Sequence, residues 1–202
     1  MTTFAQRKNQ MRIGLYGGSF NPIHKGHTHL AQAMVAQGIV DELWLLVSPL
    51  NPLKQSASSD IAEYKHRLNM ASLAVEGLDG VKVSDFESHL PIPSYTINTL
   101  HALSQAYPQH EFSLVIGADN WERFPRWYHA EEIIHTYNIY IYRRPNCPID
   151  TNTLPPSVKV VDTPLYDISS TQIREAVQKG KSIASFVDSK VELYIKENLL
   201  YV

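Results

Sequence analysis

The sequence predicts an α/β fold: a mostly parallel sheet with helices on both faces and a small C-terminal helical segment. Two observations carry this reading. Short runs of bulky apolar residues, such as Met11–Tyr16, Glu42–Val47, Glu111–Gly117 and Asn138–Tyr142, have the length and composition of buried strands. Segments with apolar residues at helical spacing alternate with them, and strands separated by helices join as parallel neighbours through right-handed crossovers.

Taken in order, residues 1–10 are polar, with Arg7 and Lys8 but no apolar run of signal-peptide type. They are expected to be a flexible extension ahead of a single domain over residues 11–202. The first strand, Met11–Tyr16, runs into a glycine-rich turn. Beyond it Leu30, Ala31, Ala33, Met34 and Val35 mark a helix that Gly38 stops. Glu42–Val47 is the second strand, and Ser48–Asp60 is a proline-punctuated loop. A helix over Tyr64–Val75 follows from Leu68, Ala71, Leu73, Ala74 and Val75, closed by Gly77. Val81–Val83 is a short strand. Ser94–Tyr107 is a helix striped by Ile97, Leu100, Leu103 and Ala106, with Pro108 beyond it. Glu111–Gly117 is a strand, followed by an aromatic-rich loop over Trp121–Tyr128 and a helix around Ala130–Tyr137. After the strand Asn138–Tyr142 come a proline-rich surface loop (Arg144–Pro156), a last strand (Val158–Val161) and helices at Ser169–Gln178 and Asp188–Asn198.

Composition narrows the function classes. The chain has 202 residues, a net charge of −2 and 44% hydrophobic residues, as an ordinary globular domain does. No basic tract points to a nucleic-acid partner. Cys147 is the lone cysteine, which excludes an intramolecular disulfide and a cysteine-rich zinc site. No apolar segment approaches membrane-spanning length, so no membrane partner and a cytoplasmic location are expected. A homo-oligomer is compatible with this composition.

Chemistry concentrates where ligands bind an open parallel sheet, beyond the carboxyl ends of its strands. The first such loop, Tyr16–His29, reads Y-G-G-S-F-N-P-I-H-K-G-H-T-H. Gly17 and Gly18 permit a tight turn and close ligand approach, and free N–H groups at the following helix start favour an anion. His24 and His27 stand three apart, on one face if the helix has begun, and Gly26 removes a side chain between them. A zinc site from His24, His27 and His29 ranks far behind, because no Cys or acidic ligand joins them. The unit G-G-S-F-N-P-I-H-K-G-H resembles the signature of the nucleotidyltransferase superfamily that carries the H-x-G-H motif. That family usually has Asp where this chain has Asn21.

A second motif, I-S-S-T-Q-I-R over Ile168–Arg174, contains the S-x-x-Q spacing of a helix capping box between Ser169 and Gln172. The cap alone accounts for most of the pattern. The functional alternative joins helix N–H groups, the Ser170 hydroxyl and Arg174 into a clamp for a triphosphate. The segment also resembles the C-terminal signature of the same superfamily.

The middle of the chain narrows the resemblance. Ser94 could simply cap a helix, or the turn P-S-Y-T could receive a carboxylate on its N–H groups. Asp119 could accept hydrogen bonds from ribose, and Trp127 could stack on a flat ring; core packing is the alternative for Trp121 and Trp127. Together P-S-Y-T (93–96), I-G-A-D (116–119), F-P-R-W-Y (124–128) and R-R-P (143–145) resemble the bacterial nicotinate-nucleotide adenylyltransferases. That resemblance implies a Rossmann-like nucleotidyltransferase fold and transfer of AMP from ATP to nicotinate mononucleotide, with release of pyrophosphate.

It further implies His24, His27, Ser170 and Arg174 in catalysis. ATP contacts would come from Gly17, Gly18, Ser19, Phe20, Asn21, Gly26, Gly117, Arg143, Ile168 and Ser169. Lys54, Ser94, Tyr95, Thr96, Asp119, Trp127 and Tyr128 would bind nicotinate mononucleotide, and Mg²⁺ would ride on the ATP phosphates without a dedicated protein site. Three rivals remain: another acceptor such as nicotinamide mononucleotide or phosphopantetheine, a non-catalytic nucleotide sensor, and an RNA-binding fragment akin to a synthetase.

Overall fold

The computed structural model describes residues 10–49, 61–164 and 166–202. The expected N-terminal extension up to residue 9, and Lys54, lie outside the described residues. The elements run β1 (Arg12–Gly18), α1 (Lys25–Ala36), β2 (Glu42–Val47), α2 (Tyr64–Val75), β3 (Val81–Ser84), α3 (Thr96–Ala106) and β4 (Glu111–Gly117). They continue with α4 (Ala118–Arg123), α5 (Ala130–Thr136), β5 (Asn138–Tyr142), β6 (Val158–Val161), α6 (Ser170–Gln178) and α7 (Ser189–Glu197).

The strands form one six-stranded sheet in the order β3-β2-β1-β4-β5-β6. Every pairing is parallel, with Ile13 opposite Glu42 on one side of β1 and Phe112 on the other. β1 and β4 are buried over most of their length, as central parallel strands covered by helices on both faces must be. The chain reverses direction across the sheet between β1 and β4, and that switch point opens a crevice at the strands' carboxyl ends.

Side chains alternate between two cores because successive strand residues point to opposite faces. Leu43 and Leu45 of β2 meet Met34, Met70, Ile173 and Val191 under α1, α2, α6 and α7. On the other face, Ile13, Leu15, Leu114 and Ile116 meet Leu100, Leu103, Phe124 and Ile133 under α3, α4 and α5.

Three local readings change. The segment after β4 is not an open loop: α4 starts at Ala118 with Gly117 as its cap, and a 3₁₀ turn over Phe124–Arg126 continues it. Asp119 in the first turn and Arg123 in the last complement the helix dipole. Helix α3 begins at Thr96, with Tyr95 and not Ser94 in the cap position. In α2 the buried face is Arg67, Met70, Ala71 and Ala74, so an arginine occupies a position on the core-facing stripe.

Candidate active site

The loop from β1 to α1 fixes two imidazoles. His24 holds the extended backbone of an N-cap (φ −146°, ψ 169°), and α1 starts one residue later. The His24 backbone N–H donates to Nδ1 of His27 at 3.2 Å. The two rings stack with centroids 3.6 Å apart and 25° between planes. Because Nδ1 of His27 accepts, the proton of the neutral ring sits on Nε2. Burial pushes the His24 pKa down to about 3, with Arg144 adding to the effect. Burial also drives His27 well down, helped by His24 and Arg144. Both are neutral hydrogen-bonding groups near neutral pH.

Beneath them Phe20 is 3% exposed and adopts φ +46°, a left-handed conformation that costs a bulky residue about 1–2 kcal/mol. Packing holds it there: its ring meets His27 edge-on at 5.1 Å and Tyr16 at 5.7 Å. A Cβ at Gly18 would meet that ring at 3.0 Å, whereas Gly17 has open space above it.

The facing wall comes from the end of β5. Arg144 Nη2 donates to the Tyr142 hydroxyl at 3.0 Å, and that hydroxyl lies 3.1 Å from the Tyr16 hydroxyl. Arg144 Nε is 3.6 Å from Asp119 Oδ1. Burial pulls the Arg144 pKa down, but Tyr142, Tyr16 and Asp119 more than offset it, so the guanidinium is firmly cationic. One pocket is lined by Tyr16, His24, Gly26, His27, Arg143 and Arg144 together with residues before α6. Arg144 is thus the half-buried cation of the pocket, while Arg143 reaches its edge from an exposed position. The R-R pair after an apolar strand was the signal, but strand alternation alone does not say which arginine turns inward.

The two signatures pack against each other. Ser169 caps α6 by accepting from Gln172 N–H at 3.2 Å, and its own N–H donates to Gln172 Oε1 at 2.9 Å, the expected capping box. Ser170 Oγ donates to the Pro22 carbonyl at 2.9 Å, and Arg174 Nη1 donates to the Asn21 carbonyl at 3.0 Å. Arg174 Nε is buried without a hydrogen-bond partner among the described residues. The side chain of Asn21 is 6% exposed and turns toward the protein, where its Oδ1 accepts from Ala62 N–H (3.0 Å) and the Tyr201 hydroxyl (2.8 Å). Ile168 is partly buried against the core.

On the far side of β4, Gly117 caps α4, where a Cβ would press on the Tyr142 hydroxyl at 3.0 Å. Trp121 and Trp127 each lie 5.2 Å from the buried ring of Phe124 and pack against the second core. Trp127 Nε1 and Ser94 Oγ are buried without partners among the described residues. Tyr95, ahead of Thr96 and α3, packs its ring 4.6 Å from that of Tyr128, and both rings are exposed. Sequence reasoning missed Arg67, which is 3% exposed and bonds the Ser19 carbonyl at 2.8 Å. A charged residue in register with Met70, Ala71 and Ala74 was its signal.

A family model described as Cytidylyltransferase-like matches residues 15–176. A protein of Bacteroides fragilis named "Probable nicotinate-nucleotide adenylyltransferase" is 47% identical over 180 residues, 89% of this chain and 89% of its own. One of the same name from Bacteroides thetaiotaomicron is 44% identical over 189 residues, 94% and 93% of the two chains. Among solved structures, Plasmodium falciparum nicotinic acid mononucleotide adenylyltransferase complexed with NaAD aligns with a TM-score of 0.81. At 22% identity over 94% of this chain and 97% of that one, it is a likeness of fold. The chain belongs to the cytidylyltransferase-like nucleotidyltransferases, in the branch of the bacterial nicotinate-nucleotide adenylyltransferases.

Proposed function

We propose that the chain transfers AMP from ATP to nicotinate mononucleotide through the pocket that His24, His27 and Arg144 share. The observation that carries this is their convergence at the β1–β4 switch point, where two neutral imidazoles face a guanidinium. The attacking phosphate oxygen is already anionic, so the site needs no strong base. Its work is positioning, and neutralising charge as the α–β phosphoanhydride breaks.

His27 Nε2–H donates to phosphate, since its Nδ1 is engaged by the His24 backbone. Arg144 supplies positive charge from the opposite wall, a role added to that of Arg143. Arg174 and Ser170 hold the Asn21–Pro22 turn, and the start of α6 offers N–H groups to the β and γ phosphates. Ser94, Tyr95 and Thr96 at the start of α3, with Trp127, Tyr128 and Asp119, form the acceptor side.

Mg²⁺ takes hard oxygen donors, which imidazole and guanidinium groups are not. It would therefore be held mainly by phosphate oxygens and water. When bound it supplies further charge neutralisation on pyrophosphate. No helix among the described residues is long and apolar enough to cross a membrane.

The test is an ATP–Mg²⁺ assay with nicotinate mononucleotide, nicotinamide mononucleotide and phosphopantetheine offered separately, following pyrophosphate and product mass. A dinucleotide formed mainly from the nicotinate substrate is expected. Preference for the amide would overturn the acceptor assignment alone. ATP binding without any transfer would overturn the enzymatic reading in favour of a sensor.

A further inference from the structure

Arg67 is a buried cation whose four hydrogen bonds, among the described residues, all go to main-chain carbonyls. Its Nη1 donates to Ser19 (2.8 Å) and Ser48 (2.7 Å), Nη2 to Pro49 (3.1 Å) and Nε to Ala62 (3.0 Å). One planar fork therefore joins the loop after β1, the loop after β2 and the entry to α2. Removing the guanidinium would take a donor from four main-chain carbonyls, so Arg67 also contributes to stability. What the guanidinium adds is fixed geometry between segments.

The chain of contacts continues. Ser48, just past β2, lies beside the carboxyl of Glu87 and works against the burial that raises its pKa; Glu87 is 9% exposed on a 3₁₀ turn after β3. Thr99 Oγ1, in the second turn of α3, donates to Glu87 Oε1 at 3.1 Å. A partly buried run of neighbours thus leads from the signature loop, through Arg67, Ser48 and Glu87, into the helix whose start opens the acceptor side.

We propose that Arg67 and Glu87 are positioning residues for adenylyl transfer: the path Ser19–Arg67–Ser48–Glu87–Thr99 sets the distance between the loop that receives ATP and the helix that receives the acceptor. The proposal rests on the two half-sites assigned above. Neither residue touches the reacting atoms. Each substrate still finds its own half-site when the path is cut, but the phosphate oxygen and the α-phosphorus no longer meet correctly.

The test compares wild type, Arg67→Ala, Glu87→Met, Glu87→Gln and the double variant Arg67→Ala/Glu87→Met. Arg67→Ala and Glu87→Met are each expected to lose about 100-fold in kcat, the cost of a misplacement near an ångström, with each KM held within about threefold. Glu87→Gln retains an acceptor for Thr99 and should recover most of the rate, and guanidinium ion at non-denaturing concentration should restore part of it to Arg67→Ala. The double variant should be no more than about twofold slower than the worse single, because both cut one path.

Folded variants with wild-type kcat, losses confined to thermal stability, or fully additive losses in the double would each overturn the proposal. Should Arg67→Ala not fold, the Glu87→Met and Glu87→Gln pair decides: equal kcat in both overturns it, and a loss rescued by Gln supports it. A wild-type protein that makes no dinucleotide would instead overturn the functional reading on which the proposal rests.

Discussion

The His24 backbone N–H donates to Nδ1 of His27 at 3.2 Å, and this bond decides which nitrogen of His27 is free to donate. The cap of α1 and the chemistry of the pocket are one arrangement. The helix start fixes the ring, the ring's tautomer follows, and Nε2–H is left for a phosphate oxygen.

That tautomer orders the substitutions at His27. Gln places an amide N–H near the Nε2 position, whereas Asn reaches only as far as Nδ1, and Ala offers no donor. Activity should fall in the order wild type, His27→Gln, His27→Asn. His27→Ala should lose about 100-fold or more in kcat, as removal of a preorganised donor does. Steady-state kinetics at saturating ATP, with circular dichroism as the control for folding, checks this. Near-wild-type turnover in folded His27→Ala would remove the ring from the mechanism.

The depressed histidine pKa values set an acid limit on stability. His24 is held at about 3 in the fold and returns to about 6.5 when unfolded. Below 6.5 the unfolded chain binds a proton that the folded chain refuses, so stability is complete above that pH and falls as pH drops toward 3. Each such histidine contributes a slope of up to about 1.4 kcal/mol per pH unit in this window. Urea unfolding between pH 7 and pH 4 should show the loss, and His24→Asn should show a shallower slope. Equal slopes would mean that His24 titrates normally in the folded protein.

Gly26 separates activity from stability. A Cβ there would lie 3.1 Å from His24 Nδ1 and 3.2 Å from Tyr166 Cβ, so the imidazole would have to tilt. Near the start of α1, alanine is otherwise the better helix former by about 0.5–1 kcal/mol. Gly26→Ala should therefore leave the melting temperature unchanged or higher while kcat/KM for ATP drops about 100-fold, the cost expected of a displaced catalytic group. Wild-type kinetics in this variant would show that the ring position is not critical.

Asn21 predicts a graded stability series. Its Oδ1 accepts from Ala62 N–H and the Tyr201 hydroxyl in a buried setting. Asn21→Ala leaves both donors unmatched and should cost about 1–3 kcal/mol, more than Tyr201→Phe, which removes a single donor. Chemical denaturation of the two variants measures the order. A costlier Tyr201→Phe would reverse the assignment.

Local sequence was sufficient for the alternation of strands and helices, because a parallel sheet covered on both faces demands continuous apolar strands and amphipathic helices. It was sufficient for both signatures as well, since a glycine-rich turn and a capping box are set by neighbouring residues. It also named His24, Gly26, His27 and Arg143 among the residues that line the pocket, but assigned no role to Tyr16, Tyr142 or Thr163.

What needed the tertiary structure was the destination of each polar group. Asn21 turns toward Ala62 and Tyr201, Arg144 sits deeper than Arg143, and Trp127 packs on Phe124. Arg67 stands on the buried face of α2, where periodicity alone would place an apolar residue. For Asn21 and Arg67 the partners lie far away in sequence, 180 residues between Asn21 and Tyr201 and 48 between Arg67 and Ser19. Periodicity reports which face of an element is covered; only the folded chain determines which distant carbonyl or hydroxyl covers it.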